Sequence, residues 1–166
     1  MQVPEKQDLA ADLGRLMDEA VPGRRGLAAW AALLEAHATL MRQLQTDLVS
    51  KTGLDLNDFD VISQLARAGG GLRMTELAAR AFSSRSGLTR RIDRLVDEGL
   101  VSRTTADGDA RGVVVTLTEA GMARVSETMP VHLRKVAELF VTKLNNQELE
   151  VLETALKKVT LDRSFG

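Results

Sequence analysis

This sequence predicts a mainly α-helical fold carrying one small β-hairpin, and three observations support that. Apolar residues recur at steps of three and four along most of the chain. The period changes once, at two β-branched runs that flank a turn-rich tip, "VSRTT" and "GVVVTLT" around "ADGDAR". Aromatics are scarce, with four Phe, one Trp and no Tyr in 166 residues, so the core must be built from Leu, Val, Ala and Met.

The elements follow in order. Leu9, Leu13 and Leu16 predict a short amphipathic helix within residues 8–20, and "VPGRRG" (Val21–Gly26) reads as a break. A long helix runs from Leu27 to about Ser50, with Trp30, Leu33, Leu34, His37, Leu40, Met41, Leu44 and Leu48 on one broad face. Asn57 or Asp58 starts the next helix, which carries Phe59, Ile62, Leu65 and Ala66 and ends at Gly69–Gly71. Thr75 is the capping candidate for a short third helix through "ELAARA". Ser83 or Ser84 can cap a fourth, because a serine hydroxyl accepts an orphan backbone N–H, and Gly99 stops it with Leu100 over its end. After the hairpin, Thr118 caps a long helix reaching into the 140s, where Pro130 can kink it. Asn145 and Glu148 form a capping box for the last helix, whose Leu149, Leu152, Leu156 and Val159 share a face.

Bulk composition excludes several classes. No apolar run approaches the roughly 20 residues that span a bilayer, and the first residues lack an export pattern. The cytoplasm is therefore the expected compartment. Without cysteine there is no disulfide, thiol redox switch or thiolate metal site. His37 and His132 are far apart, and "DLNDFD" (Asp55–Asp60) lacks the glycine and glutamate of a calcium loop, so no metal is expected. No P-loop, dinucleotide fingerprint or catalytic triad is present, so no catalytic residue, cofactor or enzyme activity is expected.

Charge is distributed unevenly. The formal net charge is −1, yet Ser83–Arg94 holds four arginines and one acid. On a helical wheel Leu88, Ile92 and Leu95 face inward, toward Leu77 and Ala81. Ser86, Arg90, Asp93 and Arg94 face outward, flanked by Arg85 and Thr89. Such a helix suits a DNA major groove, where arginine can bond guanine bidentately and Ser or Thr can serve bases or phosphates. The hairpin follows directly, and its tip offers Arg111 to a narrow, negative minor groove, with Asp109 able to orient the guanidinium. Together the two elements read as a winged helix–turn–helix. The candidate DNA contacts are Thr75, Ser83, Ser84, Arg85, Ser86, Thr89, Arg90, Arg94, Asp109 and Arg111.

The segment "MTELAARAFSSRSGLTRRIDRLVDEGLVSRTTADGDARGVVVTLTEAG" resembles the winged helix–turn–helix of the MarR transcriptional regulators. The matching pieces are "LA" at 77–78, "LTRRIDRLVDEGLV" at 88–101, "DAR" at 109–111 and "VTLTEAG" at 115–121. With the helical flanks, the resemblance covers about residues 27–162. It implies a winged lobe at about 56–118 and dimerisation helices at about 27–50 and 119–162, with residues 1–26 as an extension. It further implies a homodimer on a pseudo-palindromic operator of double-stranded DNA, more often repressor than activator, released by a small aromatic or anionic ligand. Trp30, Asp60, Arg91 and Arg103 match positions that the urate-responsive branch associates with its ligand. Arg91 lies toward the inward side of its helix and needs an acid partner, for which Asp60 is the expected residue.

The dimer has independent support. The stripe of Leu133, Val136, Ala137, Phe140 and Leu144, added to that of the last helix, exceeds what one small lobe can cover. The main rival function is a winged helix used for protein–protein contact without specific DNA binding.

Overall fold

The computed structural model describes residues 12, 14–16, 24–81, 85–105 and 112–160. Of the expected helix within residues 8–20, Asp12 and residues 14–16 are helical and the rest lies outside the described residues. The chain divides into two compact units, one ending at Arg42 and the other beginning at Gln43.

Helix α1 spans Arg24–Thr52, so Arg24, Arg25 and Gly26 are helical rather than part of a break. One glycine costs a helix only about 1 kcal/mol, and a helix this long absorbs it. Within the first unit α1 exposes Trp30, Leu33, Leu34 and Met41.

The second unit holds the winged lobe. Helix α2 (Leu56–Arg67) is capped by Asp55, not by Asn57 or Asp58: its carboxylate accepts from the Asn57 backbone N–H at 2.9 Å. Gln45 reinforces the start, its Oε1 accepting from the Leu56 N–H at 2.8 Å. Three residues that sequence periodicity does not flag, Gly71–Arg73, form strand β1. Helix α3 (Met74–Arg80) begins from Arg73, whose backbone N–H donates to the Glu76 carboxylate at 3.0 Å. Thr75 is therefore an exposed first-turn residue and not the cap, because the chain leaves β1 directly into the helix.

Helix α4 (Arg85–Asp97) ends at Gly99, where φ is +71°. The Gly99 N–H reaches the Val96 carbonyl and the Leu100 N–H the Leu95 carbonyl, both at 2.9 Å, which closes the helix end. Strands β2 (Val101–Thr105) and β3 (Val113–Leu117) pair antiparallel from Val101 opposite Leu117 to Thr105 opposite Val113. Strand β1 adds to the other side of β3, giving the order β1-β3-β2.

Helix α5 (Glu119–Leu139) is capped by Thr118, whose hydroxyl accepts from the Gly121 N–H at 3.0 Å and donates to the Gly99 carbonyl at 2.7 Å. Its first turn lies against the backbone of the β2 corner: a Cβ on Gly121 would sit 2.0 Å from the Leu100 oxygen. The helix accommodates Pro130 but stops at Leu139, short of the 140s. Phe140 leaves the helical region at φ −129°, and β-branched Val141 and Thr142 continue only in a 3-10 turn, Val141–Lys143. Helix α6 (Asn146–Thr160) has the expected box, with Glu148 accepting from the Asn145 N–H at 2.8 Å and Asn145 accepting from the Glu148 N–H at 3.0 Å.

The lobe has one core. Leu48, Leu54, Phe59, Ile62, Leu65, Leu72, Leu77, Leu88, Ile92, Leu95, Val101, Val115 and Val125 pack together, with Ala81 against them. Helix α6 buries none of its residues, and Leu133, Val141, Val151, Leu156 and Val159 are exposed. No helix among the described residues is long and apolar enough to cross a membrane.

Candidate nucleic-acid interface

The inward face of α4 fixes what its outer face can do. Leu88, Ile92 and Leu95 are fully buried, so the helix cannot roll without opening the core. Its opposite side is thereby held toward solvent: Thr89, Arg90, Asp93 and Arg94 are all exposed. The Arg90 side chain makes no hydrogen bond or ion pair with the other described residues, so its guanidinium is available to a ligand. Of the other candidate DNA contacts, Ser83, Ser84, Asp109 and Arg111 lie outside the described residues, as do the side chains of Arg85 and Ser86.

Two arginines of α4 are already engaged. Arg91 is largely buried, at 18% side-chain exposure, and its Nη1 donates to Asp58 at 2.8 Å and to Asp55 at 3.1 Å. Arg94 is half-exposed and pairs with the other carboxylate oxygen of Asp58. The partner of Arg91 is thus Asp58 with Asp55, and not Asp60. The cause is the register of α2: Asp58 lies in its first turn and is buried, whereas Asp60 is two residues further round and accepts from Gln64 at 3.3 Å.

A carboxylate as buried as Asp58, 5% exposed, is tolerable only because two guanidinium groups meet its charge. The hydrogen bond from Arg94 to Asp58 outweighs desolvation and raises the arginine's already high pKa further. Burial opposes ionisation of Asp55, but the hydrogen bonds from Asn57 and Gln45, with the charge of Arg91, bring its carboxyl below the usual range.

The remaining expected ligand-associated residues fall in different settings. Arg103 on β2 pairs with Asp93 of α4 at 2.5 Å and donates to the Thr89 carbonyl at 3.3 Å, which ties the wing to the exposed helix. Trp30 belongs to the first unit and is mostly exposed. His132, on α5, packs against Phe59 with the rings tilted by 51° and 5.0 Å between their centres. Burial lowers its pKa, and the charge of Asp60 opposes that.

Asp58 is the ion-pair partner that sequence reasoning missed. An Asp in the first turn of a helix reads as a cap or a solvated charge, and only the packing of α2 against α4 gives it another role.

Comparison with known proteins agrees with this architecture. Residues 52–112 match the MarR family. The regulator PecS of Dickeya dadantii is 27% identical over 112 residues, 66% of this chain and 67% of PecS. The crystal structure of AbsC, a MarR family transcriptional regulator from Streptomyces coelicolor, superposes with a TM-score of 0.77 at 30% identity, covering 84% of this chain and 95% of AbsC. Sco3205, a MarR family regulator from the same organism solved in complex with DNA, gives a TM-score of 0.79 at 27% identity, covering 87% of this chain and 96% of its own. The chain belongs to the MarR family of winged helix–turn–helix transcriptional regulators.

Proposed function

We propose that the chain acts in the cytoplasm as a homodimeric repressor that binds a pseudo-palindromic operator and is released by a small aromatic or anionic ligand. The observation that carries the DNA-binding part is the outer face of α4. A helix locked by three fully buried residues presents Arg90 and Thr89 to solvent beside a hairpin wing. In this reading α4 enters the major groove, with Arg90 the principal base contact, and Arg111 reaches the minor groove from the wing tip. Thr75, Ser83, Ser84, Arg85, Ser86 and Thr89 serve phosphates or bases, Asp109 orients Arg111, and Arg94 contributes where it can leave Asp58.

The exposed apolar residues of α1, α5 and α6 support the homodimer, since water-facing Trp30, Leu133, Val151 and Val159 invite a second copy. Two-fold symmetry would place the recognition helices about 34–36 Å apart, one DNA turn. Release by a ligand rests on the family resemblance, with Trp30, Asp60, Arg91 and Arg103 as its associated residues. An anion reaching Arg91 would compete with Asp55 and Asp58.

The test is binding to DNA from upstream of the protein's own gene, against scrambled DNA, across a salt series. Selective binding with a steep salt slope supports the regulator. Weak, equal binding to both, with a protein partner recovered instead, overturns it in favour of a protein-contact module.

A further inference from the structure

Helix α4 is basic in sequence but much less so in the folded chain. Of Arg90, Arg91 and Arg94, the last two are held by one buried carboxylate, that of Asp58. Their situations differ. Arg91 is enclosed and also bonded to Asp55, so it belongs to the lobe's interior. Arg94 keeps 51% of its side chain exposed on the face that would meet DNA, and Asp58 is its one partner among the described residues.

We infer that Asp58 withholds Arg94 from the phosphate backbone and thereby sets the sequence-independent part of DNA binding. Asp58 holds the Nη2 of Arg94 and offsets the charge of its guanidinium, so a phosphate gains less from Arg94 while that pair is intact. The competition is between two anions for one guanidinium, and it lowers attraction to every DNA alike, whatever its sequence. Since selectivity is a difference of affinities, weakening the common term keeps the regulator from being held on non-operator DNA. Asp58 is on this account a positioning residue that never touches DNA itself. The inference rests on the DNA-binding reading above.

The experiment measures binding to scrambled DNA between 50 and 200 mM salt for the parent, Asp58→Asn, Arg94→Ala and the double variant. Each Arg94 released to a phosphate steepens the logarithmic salt slope by about 0.9, so affinity changes by about 3.5-fold more over that range. Asp58→Asn should therefore bind scrambled DNA more tightly at low salt with a steeper slope. Adding Arg94→Ala should return the slope to the parent's value. An unsteepened slope in a folded Asp58→Asn protein overturns the inference, as does a steepening that survives Arg94→Ala.

Should Asp58→Asn not fold, Arg94→Ala keeps the question open to refutation, because it leaves the Asp58–Arg91 pair in place. Its salt slope on scrambled DNA should equal the parent's, and a slope shallower by about 0.9 would refute the withholding. If the parent binds no DNA at any salt, the regulator reading itself has failed. If the parent binds while the variants behave alike, only the role of Asp58 has.

Discussion

The winged lobe and the flanking helices use the same kinds of residue to opposite ends. In the lobe, Leu88, Ile92, Leu95 and Leu77 are sealed inside one chain. Along α1 before Arg42, and along α6, residues of the same character face water: Trp30, Leu33 and Leu34 on one, Val151, Leu156 and Val159 on the other. The lobe can therefore be stabilised by its own core, whereas the apolar faces of these helices gain burial only from another surface. The lobe's charges follow the same rule. Asp58 and Asp55 pair with Arg91 and Arg94, whereas the Arg90 side chain has no partner among the described residues. A second copy would cover the exposed apolar faces, and a DNA duplex would meet Arg90.

The contrast can be broken most forcefully inside the lobe. Ile92→Ala removes a fully buried side chain from the inward face of α4 and should cost about 2–5 kcal/mol, read by chemical denaturation. A loss under 1 kcal/mol would mean that the lobe's core is looser than its burial implies. Gly121→Ala comes next. Its methyl would collide with the Leu100 carbonyl, and relieving that overlap should cost about 1–3 kcal/mol of stability and shift the wing against α5. An unchanged denaturation midpoint would show that this corner yields freely.

On the flanking helices the expected effect is on association rather than on folding. Val151→Asp with Val159→Asp, both at exposed positions, should leave lobe stability within about 0.5 kcal/mol. The same change should convert a dimer to a monomer in sedimentation analysis. Trp30, the chain's one tryptophan, offers a second reading: its emission should shift to the blue as parent protein associates on concentration. A monomeric parent would remove the proposed role of these faces.

The smallest effect concerns His132. Burial favours its neutral form in the folded chain, so the unfolded chain takes up its proton more readily. Its contribution is fully present above about pH 6.5 and is lost as pH falls through the lowered folded value. His132→Leu should flatten that part of the stability profile between pH 7 and 5, and an unchanged slope would assign it to other groups.

The same contrast explains what could be read from the residues alone. The helices of the lobe were legible because burial on one side forces a period, and the Thr118 and Asn145 caps because their geometry is local. Strand β1 was not, since three residues carry no period and its pairing with β3 spans over forty positions. The cap falls at Asp55, whose carboxylate takes the Asn57 N–H, and Gln45 supports that start from a different helix. For the interface, the outward face of α4 was legible, including the exposure of Arg90 and the inward tilt of Arg91. The choice of Asp58 over Asp60 was not, because it depends on how α2 meets α4.

The most direct measurement compares the parent with Arg90→Ala on operator and on scrambled DNA at one fixed salt concentration. Arg90 is exposed and without a partner among the described residues, so removing it should not disturb the core. Arg90→Ala should lose about tenfold or more on the operator, corresponding to one bidentate base contact worth about 1–3 kcal/mol, and less on scrambled DNA. Equal binding of parent and variant to the operator would contradict the claim that this face of α4 reads DNA.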